Sequence, residues 1–464
     1  MPSRALRVLA DVFGHASFRE GQQEVVRAIL EGRDVLAVLP TGTGKSLCYQ
    51  LPACLLEGLV VVVSPLVALM RDQVEGLSRR GIAAAALHGG LSDEGRRDVL
   101  AATAAGRLRL LYLAPERLQQ DEVMGVLKRR GVALLAVDEA HCVSTWGHDF
   151  RPAYRHLGAA AHHLAPGVRV ALTATATPQA AREMMSSLGL RRPFVHVGGF
   201  FRPNLRVGVR WVGDGHRLAA VRACLNDGPA IVYAATRAQV EAVGANLGAP
   251  VYHAGLPHDV RARVQDDFVY GRSPVIVATN AFGLGVDKPD VRAVVHVQMP
   301  GSLEAYVQEM GRAGRDGQVS RCTLLYGRGD DEVQRALVER ACPEGGLAER
   351  LVGEAANGRL RVSRLHDVPG LGPRQRAQAE RALQALLLLG ALRVEDFGRV
   401  QVVAENLDVL PRMRTHRLRR LQMLRRMSLF VRQTRGCRQA TMLRYFGQQV
   451  DADGCQACDL CEGT

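Results

Sequence analysis

LPTGTGKS at residues 39–46, entered from the apolar run Val35 to Leu39, decides the reading of this chain. Gly42 and Gly44 let backbone N–H groups crowd around phosphate oxygens, with Thr41 and Thr43 in the same cradle. Lys45 supplies a cation, and Ser46 stands at a helix N-terminus where it can hold magnesium. A second stretch, VDEAH at residues 137–141, ends another apolar run in two carboxylates. Asp138 suits the same magnesium through water, and Glu139 suits the task of orienting and deprotonating an attacking water. Alone, a GKS triplet arises by chance and an Asp-Glu pair ends as solvated surface. In this order, each behind a strand-length apolar run, the two describe a nucleoside triphosphate hydrolase. One position departs from the full loop pattern, because Leu39 stands where a glycine is expected.

Working outward, short and nearly continuous apolar runs alternate with helix-like stretches. They are Val35 to Leu39, Leu59 to Val63, Leu108 to Leu113, Val132 to Val137 and Val168 to Leu172. A second series follows at Ala230 to Tyr233, Val275 to Ala278, Val291 to Val297 and Cys322 to Tyr326. Runs that are polar on neither face predict strands covered on both sides. The fold class expected is therefore α/β, with two mostly parallel sheets in succession, over residues 1–198 and 199–340. The joint falls near Phe201-Arg202-Pro203-Asn204, where Pro203 biases the chain away from helix.

The 464 residues carry a net charge of +14 and 47% hydrophobic side chains, enough for about three domains and for sizeable cores. The charge points to a polyanionic partner, nucleic acid before membrane; the bland alternative is a merely basic enzyme. Met1 to Leu9 holds two arginines and no apolar core follows, so no signal peptide is expected, and no run approaches the roughly 20 apolar residues of a membrane span. A reducing, cytoplasmic setting suits the ten cysteines.

Beyond residue 340 the pattern changes. A helix from Pro373, Leu392-Arg-Val394, a turn through Asp396-Phe-Gly398 and Val400-Gln-Val402 outline a winged-helix-like unit over 341–410. Val368-Pro-Gly-Leu-Gly-Pro373 also suits a phosphate-gripping hairpin, and an interdomain spacer is the third reading. From Arg412 to Arg438 there is no acid, and Arg414, Arg417, Arg419, Arg420, Arg425, Arg426, Arg432 and Arg435 interleave with apolar residues at helical spacing. That face is either solvated or set against phosphates. In the last segment, 411–464, Cys437, Cys455, Cys458 and Cys461 give one distant thiol and a close triplet. Four thiolates favour tetrahedral Zn²⁺, with an iron–sulfur cluster as the rival.

Further motifs stand in one order: FREGQ (18–22), VSPLVALMRDQ (63–73), LAPERL (113–118), VDEAHCVSTWGHDFRP (137–152), TATA (173–176), FFRPNL (200–205), YHAGL (252–256), ATNAFGLGVDKPDVR (278–292) and QEMGRAGRDG (308–317). With these the chain resembles the RecQ family of superfamily-two, DEAH-box DNA helicases over 13–340 and 413–461, and the Leu39 variant of the phosphate loop is what such helicases carry. The resemblance implies two RecA-like lobes and ATP as fuel, chosen by Gln22 with help from Arg19. Arg315 becomes the arginine finger, with Arg312 and Gln308 beside it. Trp146 and Phe150 would stack on bases, and His148 and Arg151 would meet phosphates. Ser64, Arg117, Thr279 and Asn280 would grip one strand's backbone. The resemblance also selects zinc for the cysteines and implies 3′ to 5′ translocation on single-stranded DNA; the alternatives are an RNA helicase of superfamily two with the same motor and a DNA-binding or annealing protein with a vestigial ATPase. Partly duplex DNA is the expected substrate, single-strand-binding protein an expected partner and a monomer the working form. In the family the zinc module usually precedes a winged helix; here the wing-like unit comes first, which leaves branched-substrate preference unassigned.

Overall fold

A computed structural model describes the chain except for residues 1, 145–153, 155, 226–227, 284–287, 342–344, 362–364, 366–367, 370, 372, 389–390, 395–398, 404–408, 449–453 and 462–464. Two compact units account for it: Met1–Val297 with Glu304–Leu325 and Gln433–Thr464, and Gln298–Leu303 with Tyr326–Arg432.

The first unit is built on two sheets. One contains β1 (Val35–Val38), β2 (Leu59–Val63), β3 (Ala84–Leu87), β4 (Leu110–Leu113), β5 (Val132–Val137), β6 (Val168–Thr173) and β7 (Phe194–Val197), in the order β3-β4-β2-β5-β6-β1-β7. Every pairing in it is parallel. Side chains alternate along a strand, so Val35 and Ala37 join one core while Leu36 and Val38 join the other, on the opposite face. β2 divides likewise, Val60 and Val62 to one side and Leu59, Val61 and Val63 to the other. A register shift between Leu59 and Val60 lets Ala133 drop out of the pairing with β5. Each of these fully buried branched side chains contributes about 1.5–3 kcal/mol of transfer free energy, which explains why the runs are apolar without interruption.

The second sheet holds β8 (Leu205–Trp211), β9 (Ala230–Tyr233), β10 (Val251–Tyr252), β11 (Val275–Ala278), β12 (Ala293–His296) and β13 (Ser320–Tyr326), in the order β10-β11-β9-β12-β13-β8. Val232, Val277, Val295 and Leu325 form its core on one face. The motif loops after β1, β2, β4, β5 and β6 of the first sheet and after β11 of the second leave the carboxyl ends of parallel strands, where open α/β sheets bind ligands. QEMGRAGRDG instead runs on from the end of the helix Leu303–Met310 and leads into β13.

In the second unit, helices Gly345–Ala356 and Pro373–Leu388 pack on the antiparallel hairpin of β14 (Leu392–Val394) and β15 (Val400–Val402), and helices Asp330–Ala341 and Val409–Val431 pack on those helices. Leu351, Leu360, Leu383, Leu386, Leu392 and Val400 close its core. The helix running into a hairpin is the wing-like outline expected, with Arg361 bridging to Arg399 beside it; the turn residues 395–398 lie outside the described residues. The helix Val409–Val431 packs on Asp330–Ala341 and Gly345–Ala356, so the expected segment 411–464 is divided between the two units after Arg432. Its arginines do meet acids, supplied by neighbouring helices: Arg432 reaches Asp331 at 2.8 Å, Arg417 reaches Glu339 at 3.9 Å and Arg414 reaches Glu349 at 2.5 Å. Arg425 and Arg426 stay exposed.

Candidate nucleotide and metal sites

β1 delivers the phosphate loop. Leu39 N–H still pairs with the Thr173 carbonyl of the β6 end (3.0 Å), after which the chain turns. Gly42 and Gly44 have φ of +87° and +79°, backbone that L side chains rarely adopt, and a Cβ on Gly44 would sit 2.8 Å from Gln22 Nε2. Thr43 Oγ1 donates back to the Pro40 carbonyl (2.7 Å), closing the turn. Ser46 stands at the N-terminal end of the helix Leu47–Leu55 without a side-chain cap bond, so the positive end of the helix dipole faces the loop. Lys45 is held from behind by the Leu39 carbonyl at 3.3 Å. Burial pulls its pKa down, against the opposing pull of Glu139 and Asp138.

β5 ends at the carboxylates. Asp138 is buried, and burial together with the adjacent Glu139 lifts its pKa to about 6 in spite of Lys45. Its Oδ1 accepts from the Glu139 N–H at 2.9 Å, and Tyr154 OH donates to its carbonyl at 3.1 Å. Glu139 lies in the left-handed region, φ 46° and ψ 46°, which costs a non-glycine residue on the order of 1–3 kcal/mol. His141 Nδ1 stands 3.2 Å from Glu139 Oε2 and 2.9 Å from Thr173 Oγ1, tying the carboxylates to the TATA segment.

One cleft of about 470 Å³ gathers Arg19, Gln22, Thr41, Gly42, Gly44, Lys45, Ser46, Asp138 and Glu139 from the first sheet's side with Gln308, Arg312 and Arg315 from the second's. Contact across it is close. A Cβ on Gly42 would lie 3.0 Å from Arg315 Cγ, and one on Gly311 would lie 3.4 Å from Thr41 Cβ. Arg312 donates to the Gly283 carbonyl. Gln22 accepts from the Arg19 N–H (2.9 Å) and donates to the carbonyls of Thr43 (2.7 Å) and Gly44 (3.1 Å), so its amide braces the loop. Leu69 and Gln73 of VSPLVALMRDQ and Pro289 of ATNAFGLGVDKPDVR also line the cleft, as do His15 and Ser17, which lie in none of the motifs. Only FREGQ among the motifs lies near these last two, and side chains of that kind carry no spacing signal.

The backbone-gripping set does not line this cleft. Ser64 follows β2 and is buried; Arg117 follows β4 and donates to the His88 carbonyl (3.0 Å) and to Gln120 Oε1 (3.2 Å). Thr279 is buried at the end of β11, and Asn280 beside it is exposed. Trp146, His148, Phe150 and Arg151 lie outside the described residues.

The four cysteines converge. The Sγ atoms of Cys437, Cys455, Cys458 and Cys461 lie within 4.8 Å of one another. Tetrahedral zinc with bonds of about 2.3 Å needs sulfurs about 3.8 Å apart, so the set fits. Cys437 also caps the helix Arg438–Tyr445, its Sγ accepting from the Ala440 N–H at 3.3 Å. The cysteine loop runs along the edge of β8. Val207 donates to the Ala457 carbonyl (2.9 Å), Asp459 N–H donates to the Val207 carbonyl (3.0 Å), and Asp459 Oδ2 accepts from the Val209 N–H (3.0 Å). Arg438 locks Asp459 from behind at 2.6 Å. Leu443 and Phe446 reach the core of the first sheet.

Comparison with known proteins agrees with this arrangement. The DEAD/DEAH box helicase family matches residues 19–184, the helicase conserved C-terminal domain 216–317, and the RecQ zinc-binding family 394–462. The probable ATP-dependent DNA helicase RecS of Bacillus subtilis is 37% identical over 96% of this chain and 89% of its own. The ATP-dependent DNA helicase RecQ of the same bacterium is 42% identical over 74% of this chain, which spans 59% of that relative's length. Among solved structures, the Mycobacterium smegmatis helicase Lhr bound to ssDNA and AMP-PNP has a TM-score of 0.53 at 22% identity, over 87% of this chain and 60% of that one, a likeness of fold.

Proposed function

The chain belongs to the RecQ family of ATP-dependent DNA helicases, and from that premise we propose that it hydrolyses ATP to translocate 3′ to 5′ on single-stranded DNA and unwind partly duplex DNA in repair and recombination. The observation that carries this reading is the shared cleft, where the phosphate loop and carboxylates of one sheet meet Arg312 and Arg315 of the other. Gly42, Gly44 and Lys45 hold the phosphates, and Glu139 takes the proton of the attacking water. Ser46 and Asp138 would hold Mg²⁺, which when bound neutralises phosphate charge; a buried Asp138 that resists ionisation beside the half-buried Glu139 suits a divalent cation. Arg315 answers the charge that develops on the γ-phosphate, and Arg312 and Gln308 flank it. Because these groups come from both lobes, closure and hydrolysis are linked, and Ser64, Arg117, Thr279, Asn280 and the aromatic loop with Trp146, His148, Phe150 and Arg151 carry the strand.

The expected division at 198, 340 and 410 belongs to the same reading, as does a monomer working in the bacterial cytosol on strands coated by single-strand-binding protein. A net charge of +14 supports the polyanionic track. The test is an unwinding assay on 3′-tailed and 5′-tailed duplexes with Lys45→Ala alongside. The 3′ tail should be preferred, and the variant should bind DNA without hydrolysing ATP. Turnover that survives the substitution would remove the phosphate-loop assignment.

A further inference from the structure

We propose that Arg202 and Asn204, in the segment joining β7 to β8, are positioning residues for Arg315; this rests on the reading of Arg315 as the arginine finger. The peptide group between Gly314 and Arg315 is planar, so whatever fixes the Gly314 carbonyl also fixes the direction in which Arg315 leaves the backbone. That carbonyl accepts three hydrogen bonds: from Arg202 Nη2 at 2.5 Å, from Asn204 Nδ2 at 2.9 Å and from the Gly317 N–H at 3.0 Å. Arg202 Nη2 also donates to the Ala313 carbonyl (3.3 Å), and Asn204 Nδ2 to that of Gln318 (2.9 Å). The two side chains brace each other, Arg202 Nε donating to Asn204 Oδ1 at 3.3 Å, while the Asn204 carbonyl accepts from the Ser320 N–H at 2.9 Å.

Glycine is required at 314 for two reasons. Its φ is +55°, and a Cβ there would lie 2.5 Å from Asn204 Nδ2. The clamp therefore sits as near the finger's backbone as packing allows. Its other end is anchored too: Phe200 is buried and stacks on Phe446 of the cysteine module, centroids 4.7 Å apart and planes within 9°. The segment thus runs from the metal-binding module to the finger loop, and Arg315 in turn lies over Gly42. Displacing a group that stabilises a transition state by about 1 Å can cost up to ~10²-fold in rate, which gives this clamp a kinetic role and not only a structural one.

The experiment is a double-mutant cycle on the zinc-loaded full chain with Arg202→Ala, Asn204→Ala, Arg315→Ala and the pair Arg202→Ala/Arg315→Ala. The readouts are DNA-stimulated ATP turnover and the affinity for N-methylanthraniloyl-ATP. Arg315→Ala should lower kcat about 10³-fold, in the range of a lost arginine finger. Arg202→Ala should lower it about 10-fold or more with analogue affinity within about twofold, and the pair should be no slower than Arg315→Ala alone. A pair slower by the whole Arg202→Ala factor, or an Arg202→Ala enzyme with wild-type kcat, overturns the proposal. If Arg315→Ala itself turns over normally, the finger reading falls first and this one with it, a result visible in the single variant. Should Arg202→Ala not melt cooperatively, Arg202→Lys and Asn204→Ala carry the same cycle, since each removes part of the clamp.

Discussion

Glu139 shows how a single residue combines strain and chemistry. It sits in left-handed backbone directly after the strand, and its carboxylate is turned toward His141 and, through it, toward Thr173. Replacing it with glutamine keeps the shape and removes the base. Glu139→Gln should lower kcat for ATP by about 10²–10⁴-fold with nucleotide binding retained, as measured by steady-state hydrolysis beside analogue titration. The motif residues were legible because their chemistry needs fixed types at short spacing: glycines and a lysine within one loop, two carboxylates at one strand end. The contacts between motifs were not. His141 with Thr173 and Arg202 with Gly314 join residues 32 and 112 positions apart, and spacing in the chain does not encode such distances. Gln22 is intermediate, visible as an amide beside the loop, yet its three hydrogen bonds to Arg19, Thr43 and Gly44 appear only in three dimensions.

At the scale of elements, the central strands announced themselves through unbroken apolar runs, and the edges did not. β3 is Ala-Ala-Ala-Leu and β7 is Phe-Val-His-Val, half-exposed at the two margins of the first sheet, where small or alternating residues suffice. β8 escaped notice for a related reason, since its free edge is covered by the cysteine loop and not by a strand of its own sheet. Removing zinc with a chelator should therefore loosen more than the four thiols. Limited proteolysis should become fast between 433 and 461, and amide exchange should rise at Val207 and Val209, the groups that pair with Ala457 and Asp459. In the other unit, His416 on the helix Val409–Val431 has its pKa pushed down to about 4, first by burial and then by Arg420 and Arg419. Its folded pKa lies below its unfolded one, so the unfolded state binds more protons between pH 6.5 and about 4, and stability falls as pH drops through that window. The loss should be on the order of 2–3 kcal/mol, seen in denaturant melts at pH 7 and pH 4.5, and His416→Gln should flatten the profile.

Across the whole molecule, the order of motifs predicted two parallel-sheet lobes and a metal module, and the fold contains them. What composition left open was where the excess positive charge goes. Part of it is neutralised inside the second unit by Asp331, Glu339 and Glu349. Arg425, exposed on the helix, should meet phosphates: the slope of log affinity for a single-stranded oligonucleotide against log salt should shrink by about 0.7 unit in Arg425→Ala, measured by anisotropy. In the proposed function, a cleft shared by two lobes hydrolyses ATP under the control of a bound strand. The most direct measurement is the steady-state rate of ATP hydrolysis by the zinc-loaded protein with Mg²⁺, with and without a single-stranded DNA oligonucleotide. A rise of about 10²-fold or more in kcat is predicted, of the size that assembling one acid–base group gives. A rate that DNA leaves unchanged, in protein that melts cooperatively and retains its metal, would contradict it.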